Sequence, residues 1–172
     1  MGMQWTASVS PAQAAGREAV PALFTIGYEK ARLADVIATL AEAGVTTLID
    51  VRDRPISRRP GFSKRQLAAA LEEAGIRYVG LIALGTPPEG REAGRRRQWD
   101  RFWHIVDERL ASAEAELGFD AAAHTAREGT SCLLCYEADW RCCHRRRVAE
   151  ILAERHGFTV RHLAVRDGFE AI

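Results

Sequence analysis

Val45-Thr46-Thr47-Leu48-Ile49-Asp50-Val51 reads as a strand buried on both faces: it is β-branched, nearly continuous in apolar character and too short for a helix. Such strands belong to parallel sheets, which require crossover connections, and the text on either side supplies them. Residues 22–27, 76–81, 131–136 and 159–163 form four more short β-rich runs, separated by helical stretches. The reading is an α/β fold, a three-layer α/β/α sandwich around a mainly parallel sheet of about five strands.

Working outward from residues 45–51, Leu33, Val36, Ile37 and Leu40 recur at helical spacing before Gly44, a helix stop. On the other side Ser63-Lys64-Arg65-Gln66 has the form of a capping box, in which Ser63 and Gln66 satisfy orphaned backbone donors. That helix carries Leu67, Ala70, Leu71 and Ala74 and ends at Gly75. Residues 82–98, with Thr86-Pro87-Pro88-Glu89-Gly90 and Arg95-Arg96-Arg97, are expected to form a long loop. Trp99, Phe102, Trp103, Val106 and Leu110 then mark an amphipathic helix, with an interruption near Gly118, and core packing is favoured over base stacking for its aromatics. No internal repeat is present.

The chain has 172 residues, 47% of them apolar, which suffices for one core without staples. Residues 22–172 are expected to form a single domain, and residues 1–21, rich in Ala, Ser, Gly and Pro, a loose tail. Twenty-four basic and 23 acidic residues leave a net charge of +1, so no global field points to nucleic acid or an anionic membrane. No apolar run approaches the ~20 residues of a bilayer span, and a signal-peptide pattern is missing. The four cysteines, at 132, 135, 142 and 143, are too clustered for a disulfide framework and suit a reducing, cytoplasmic compartment. Neither a dinucleotide fingerprint nor a P-loop occurs, which disfavours NAD and ATP bound in those ways.

In a parallel sheet the loops leaving the carboxyl ends of the strands share one edge, so sequence position predicts convergence. Tyr28 follows the first strand, Asp50 and Arg52 end the second, Leu84-Gly85 follow the third, and Cys135 and Glu137 end the fourth. The densest chemistry is Cys135-Tyr-Glu137-Ala-Asp139-Trp-Arg141-Cys142-Cys143-His144-Arg145, read as strand end, loop and helix start. A cysteine at that helix N-terminus, among Arg141, Arg145, Arg146 and Arg147, would favour its thiolate and welcome an anion. Asp50, following an apolar strand, needs a partner, for which Arg52 and Arg145 are available.

This stretch, with Thr25-Ile-Gly27-Tyr28, Leu48-Ile-Asp50-Val-Arg52-x-x-Pro55-x-Ser57 and Gly61-Phe62-Ser63-Lys64, resembles the family known as domain of unknown function 488, from about Leu23 to Leu163. Trp140 stands where members more often have proline, and Cys142 is additional. A weaker, architectural likeness is to rhodanese-type and cysteine-phosphatase-type sites, although Tyr-Glu-Ala-Asp after Cys135 is acidic where those have an anion cradle.

The residues thus point to an enzyme, a thiol-dependent hydrolase or transferase, acting on a phosphorylated or nucleotide-like small molecule. Cys135, Glu137, Cys143, His144 and Asp50 are its candidate catalytic groups, and Tyr28, Arg52, Ser57, Lys64 and Arg145 its candidate anion-binding groups. No cofactor and no metal are expected. One alternative is zinc held by Cys135, Glu137, Cys143 and His144, against which stand an unrecognised ligand spacing and the difficulty of turning adjacent side chains to one ion. Another is a non-catalytic module binding nucleic acid or a nucleotide through Arg52, Arg54, Arg58, Arg59, Lys64 and Arg95 to Arg97.

Overall fold

The computed structural model describes residues 22–166; the expected tail, residues 1–21, lies outside the described residues, as do residues 167–172 of the expected domain. In chain order the elements are β1 (Leu23–Gly27), α1 (Leu33–Glu42), β2 (Thr47–Asp50), α2 (Lys64–Glu73), β3 (Arg77–Gly80), α3 (Pro88–Arg95), α4 (Trp99–Leu110), α5 (Ala113–Glu128), β4 (Ser131–Cys135), α6 (His144–His156) and β5 (Val160–Leu163). Short 3-10 turns occupy Ile82–Leu84 and Trp140–Cys142. Among the described residues no helix is long and apolar enough to cross a membrane.

The strands form one sheet in the order β3-β2-β4-β1-β5, every neighbouring pair parallel. Every residue of the three inner strands is buried, while the edge strands β3 and β5 are partly exposed. This explains why residues 45–51 lack polar alternation: both faces of β2 are covered. Leu23, Ile49 and Leu133 point into a core with Phe102, Phe119 and Leu152 of α4, α5 and α6. Phe24, Ile26, Leu48 and Leu134 point the other way, onto Val36 and Leu40 of α1 and Leu67 and Leu71 of α2. The result is the expected α/β/α sandwich, in which each fully buried Leu, Ile or Phe contributes about 1.5–3 kcal/mol of transfer free energy.

The chain leaves β1 and β2 through α1 and α2 on one face, stepping toward the β3 edge, and returns through α3 to α6 on the other face, toward β5. Neighbouring strands β2 and β4 therefore send their outgoing chains in opposite directions. A crevice opens at their carboxyl ends, the place where such sheets bind ligands.

Three local expectations are corrected. The stretch read as a long loop, residues 82–98, contains α3, because Pro88 sits in the first turn, where its missing N–H costs nothing, and small Gly90 and Ala93 form the buried face. The helical interruption falls at Ala111 and Ser112, where Ser112 Oγ accepts from Ala115 N at 3.2 Å; Gly118 lies inside α5, packed on the Leu84 side chain. Ser63 starts α2 without a side-chain cap: its hydroxyl accepts from Ser57 N (3.1 Å) and donates to Ser57 O (3.2 Å), tying down the preceding loop instead.

Beside the crevice lies a buried ion pair. Asp50, 1% exposed, receives Arg52 Nε at 2.8 Å, Arg52 N at 3.1 Å, Arg52 Nη2 at 2.7 Å and the Tyr78 hydroxyl at 2.7 Å. Arg52, 6% exposed, spends Nη1 on Tyr28 Oη (2.9 Å) and Phe62 O (2.8 Å), and Tyr28 stacks on Phe62 at 4.2 Å. Burial, then the hydrogen bond to Asp50, raises the Tyr78 hydroxyl above the ordinary phenol range. Burial opposes the charge on Arg52, but Asp50 outweighs it and raises the guanidinium further still.

Two glycines permit close backbone crossings at the same edge. A Cβ on Gly27 would overlap the Glu137 carbonyl, and one on Gly85 would overlap the backbone of Asp53. In urea denaturation Asp50→Ala is expected to cost about 3–5 kcal/mol by leaving Arg52 buried and unpaired. Gly27→Ala should cost about 3 kcal/mol by overpacking, whereas Gly80→Ala, which meets only ordinary contacts, should stay within about 0.5 kcal/mol. Equal midpoint shifts in the three variants would contradict this account.

Candidate functional site

A cavity of about 740 Å³ occupies the crevice. Its deep wall is made by Cys135, Glu137 and His144, and its rim by Arg54, Arg58, Arg59, Arg91 and Arg95. The wall is built where β4 ends. Gly27 pairs with Cys135 in the sheet, after which the chain folds back over the end of β1, with Glu29 N donating to Tyr136 O at 2.8 Å. Arg145 fastens that fold: its guanidinium donates to Glu137 O, to Ala138 O at 3.2 Å and to Thr25 Oγ1 at 3.3 Å.

Cys143 occupies the N-cap position of α6 in extended conformation, with no side-chain cap bond. Its thiol turns inward, 3.9 Å from His144 Nδ1, while Cys135 Sγ lies 3.5 Å from the same nitrogen and 3.3 Å from Glu137 Oε2. His144 Nε2 stands 2.8 Å from the Val51 carbonyl, which can only accept, so Nε2 carries a proton and Nδ1 is left to the sulfurs. Cys135 Sγ, Cys143 Sγ and His144 Nδ1 all lie within 4.8 Å of one another, a donor set of the kind that holds a metal. The adjacency of Cys143 and His144, expected to prevent this, does not.

The two sulfurs compete for one negative charge. Burial opposes ionisation of Cys143, but hydrogen bonds from Cys135 and His144, with the charges of His144 and Arg145, draw it well below the ordinary thiol range. Cys135 is held well above it by its hydrogen bond to Cys143 and by burial, so of this pair the sulfur that lines the cavity, alongside exposed Cys142, is the one that keeps its proton. Burial, then the charge on Cys143, raises the Glu137 carboxyl to about 7. For His144 burial is again opposed, and Cys143 raises it. Cys132, buried in the opposite core, is raised by burial against a smaller opposing effect of the Arg145 charge and stays a packing residue.

Of the candidate residues, Tyr28, Arg52, Ser57, Cys135, Glu137 and His144 line the cavity. Asp50 sits behind Arg52 and Cys143 behind His144, both buried. Arg145 is 0% exposed and committed to two backbone carbonyls and the Thr25 hydroxyl, and Lys64 is exposed outside the cavity, so neither lines it. The other arginines of the α6 start are spent elsewhere: Arg141 on Asp139, Arg146 on Glu150 and Arg147 on Asp107. Sequence reading missed Thr86, Arg91 and Trp99 as cavity residues. Pro88 as a helix start was the available signal, since it places Arg91 and Arg95 four residues apart on one helical face.

The family model described as Domain of unknown function DUF488 matches residues 32–152, more than half of the chain. That span contains β2, β4 and the whole deep wall of the cavity, while the Thr25-Ile-Gly27-Tyr28 motif lies ahead of it. No curated protein and no solved structure matches the chain. The chain belongs to the family of proteins that carry the domain of unknown function DUF488.

Proposed function

We propose that the protein is an enzyme acting on a phosphorylated, nucleotide-sized small molecule, with the anion held at the arginine rim and the reacting atom above Cys135, Glu137 and His144. The observation that carries this reading is the union, in one cavity, of a cationic rim and a buried sulfur, imidazole and carboxyl wall. Among the described residues Arg54 and Arg58 have no ion pair, and Arg59 Nε has no hydrogen-bond partner. Thr86, 6% exposed at the same cavity, likewise has an unpartnered hydroxyl. Arginine suits the fork geometry of phosphate oxygens. Trp99, Phe102 and Tyr136 provide apolar wall for a flat ring, and the volume is that of an ordinary small-molecule site.

An extended nucleic-acid surface is less well supported, because several of the outer arginines are engaged by carboxylates. Arg91 pairs with Asp53 at 2.6 Å, and Arg95 and Arg96 pair with Glu92. What stays uncompensated is concave and local. Glu137, partly buried and 3.3 Å from Cys135 Sγ, is placed to carry a proton between wall and substrate.

Binding of nucleoside mono- and diphosphates, measured by calorimetry, should weaken by roughly 10- to 100-fold in Arg54→Glu/Arg58→Glu, the loss of one or two charge-assisted hydrogen bonds. Unchanged affinity in that variant, or no binding of any phosphorylated ligand, would sink the proposal. Once a substrate is found, Glu137→Gln should lower turnover by about 10²–10⁴-fold while leaving the affinity for that substrate within about twofold of the parent. A fall in affinity with turnover intact would make Glu137 a binding group instead.

A further inference from the structure

We propose that Cys135, Cys143 and His144 hold a zinc ion whose fourth coordination position opens into the arginine-rimmed cavity. Ligands at about 2.3 Å for sulfur and about 2.0–2.1 Å for nitrogen around a tetrahedral zinc stand roughly 3.5–3.8 Å apart. Here His144 Nδ1 lies 3.5 Å from Cys135 Sγ and 3.9 Å from Cys143 Sγ, with all three donors inside 4.8 Å. The donor set is two sulfurs and an imidazole, which selects zinc over magnesium or calcium. His144 is also oriented as a metal ligand should be: Nε2–H is donated to Val51 O at 2.8 Å, which aims the Nδ1 lone pair at the sulfurs.

Charge supports the same assignment. Arg145 is fully buried, and among the described residues no carboxylate pairs with it. The thiolates of a zinc site would bring negative charge to the neighbourhood of that guanidinium.

The ion is not a staple for the fold. Structural zinc sites are closed by four protein ligands, whereas this one has three, between two apolar layers that already cover the sheet. Cys135 and His144 line the cavity and Cys143 lies behind them, so the uncovered side of the triangle faces the space where a substrate would sit. Glu137 stands beside the triangle and outside it. Zinc in that place supplies Lewis-acid polarisation, or a bound water of lowered pKa. That chemical role rests on the reading of the cavity as a site for phosphorylated molecules; the donor geometry stands without it.

The test is a cobalt titration of reduced, chelator-treated full-length protein. The expected result is one equivalent bound, with the visible bands of four-coordinate cobalt and near-ultraviolet sulfur-to-cobalt charge transfer, both displaced by zinc. Cys143→Ala should weaken metal binding on the order of 100-fold, at least the effect of losing an outer-shell partner, whereas Cys142→Ala should match the parent. Because Cys143 is buried, the parent protein supplies an independent readout: zinc should slow alkylation of Cys135 and Cys143 and leave exposed Cys142 reacting at its former rate. Cobalt uptake without sulfur charge transfer, no uptake at all, or equal alkylation with and without zinc would overturn the assignment. An intact cobalt spectrum in protein that binds no phosphorylated ligand would overturn the reading of the cavity alone.

Discussion

The Asp50–Arg52 pair is the constraint on which the sheet edge depends. A carboxylate and a guanidinium removed from water each carry a large desolvation cost, and they are tolerated here because every strong hydrogen-bonding direction of Asp50 is filled. The partners come from four places in the chain: the end of β2, Tyr78 on β3, Tyr28 after β1 and the Phe62 carbonyl before α2. One ion pair thereby fixes the mutual position of three strand ends and of the arginine-bearing loop at residues 53–63. It lies on the α1/α2 face of the sheet, whereas Cys135 and His144 lie on the other side of the crevice, and the Val51 carbonyl joins the two by accepting from His144. The clamp thereby shapes the cavity, which Arg52 itself helps to line.

The wall of the cavity depends on a second buried charge used in the opposite way. Among the described residues Arg145 has no carboxylate partner and is spread over the Glu137 and Ala138 carbonyls and Thr25. It holds the loop after β4 folded over Gly27, where any side chain would collide with that loop. The fold-back brings Glu137 beside Cys135, two residues on from a strand that would otherwise have carried it away. Burial opposes ionisation of Cys143, and the charge of Arg145 is among the effects that overcome it, whereas Cys135 is held above the ordinary thiol range by its hydrogen bond to Cys143 and by burial.

Much of the architecture was legible because burial leaves a mark on composition. Strands covered on both faces must be apolar throughout, so residues 45–51 and 131–135 announce themselves, and Gly44 and Gly75, with φ of +69° and +74°, mark helix ends by their backbone. The hidden helix α3 was illegible for the converse reason: its buried face is Gly90 and Ala93, which carry almost no hydrophobic signal. Ser63 misled because a hydroxyl at a helix start can serve the helix or the loop, and the alternative bonds to Ser57 appear only once the loop is closed.

The α/β class, a sheet of about five strands and the edge at which Tyr28, Asp50, Arg52, Cys135, Glu137 and His144 gather could be read from the residues alone, because the parallel topology places every strand end on one side; the order β3-β2-β4-β1-β5 could not. Only the tertiary structure decided what each of those groups faces. Whether Asp50 takes Arg52 or Arg145, whether Arg145 meets a ligand or a backbone, and whether Cys143 and His144 can turn to one point are settled by side-chain directions across distant segments. Chain spacing does not encode such directions, since the partners lie from 1 to 120 residues apart and meet only after both apolar layers have closed on the sheet.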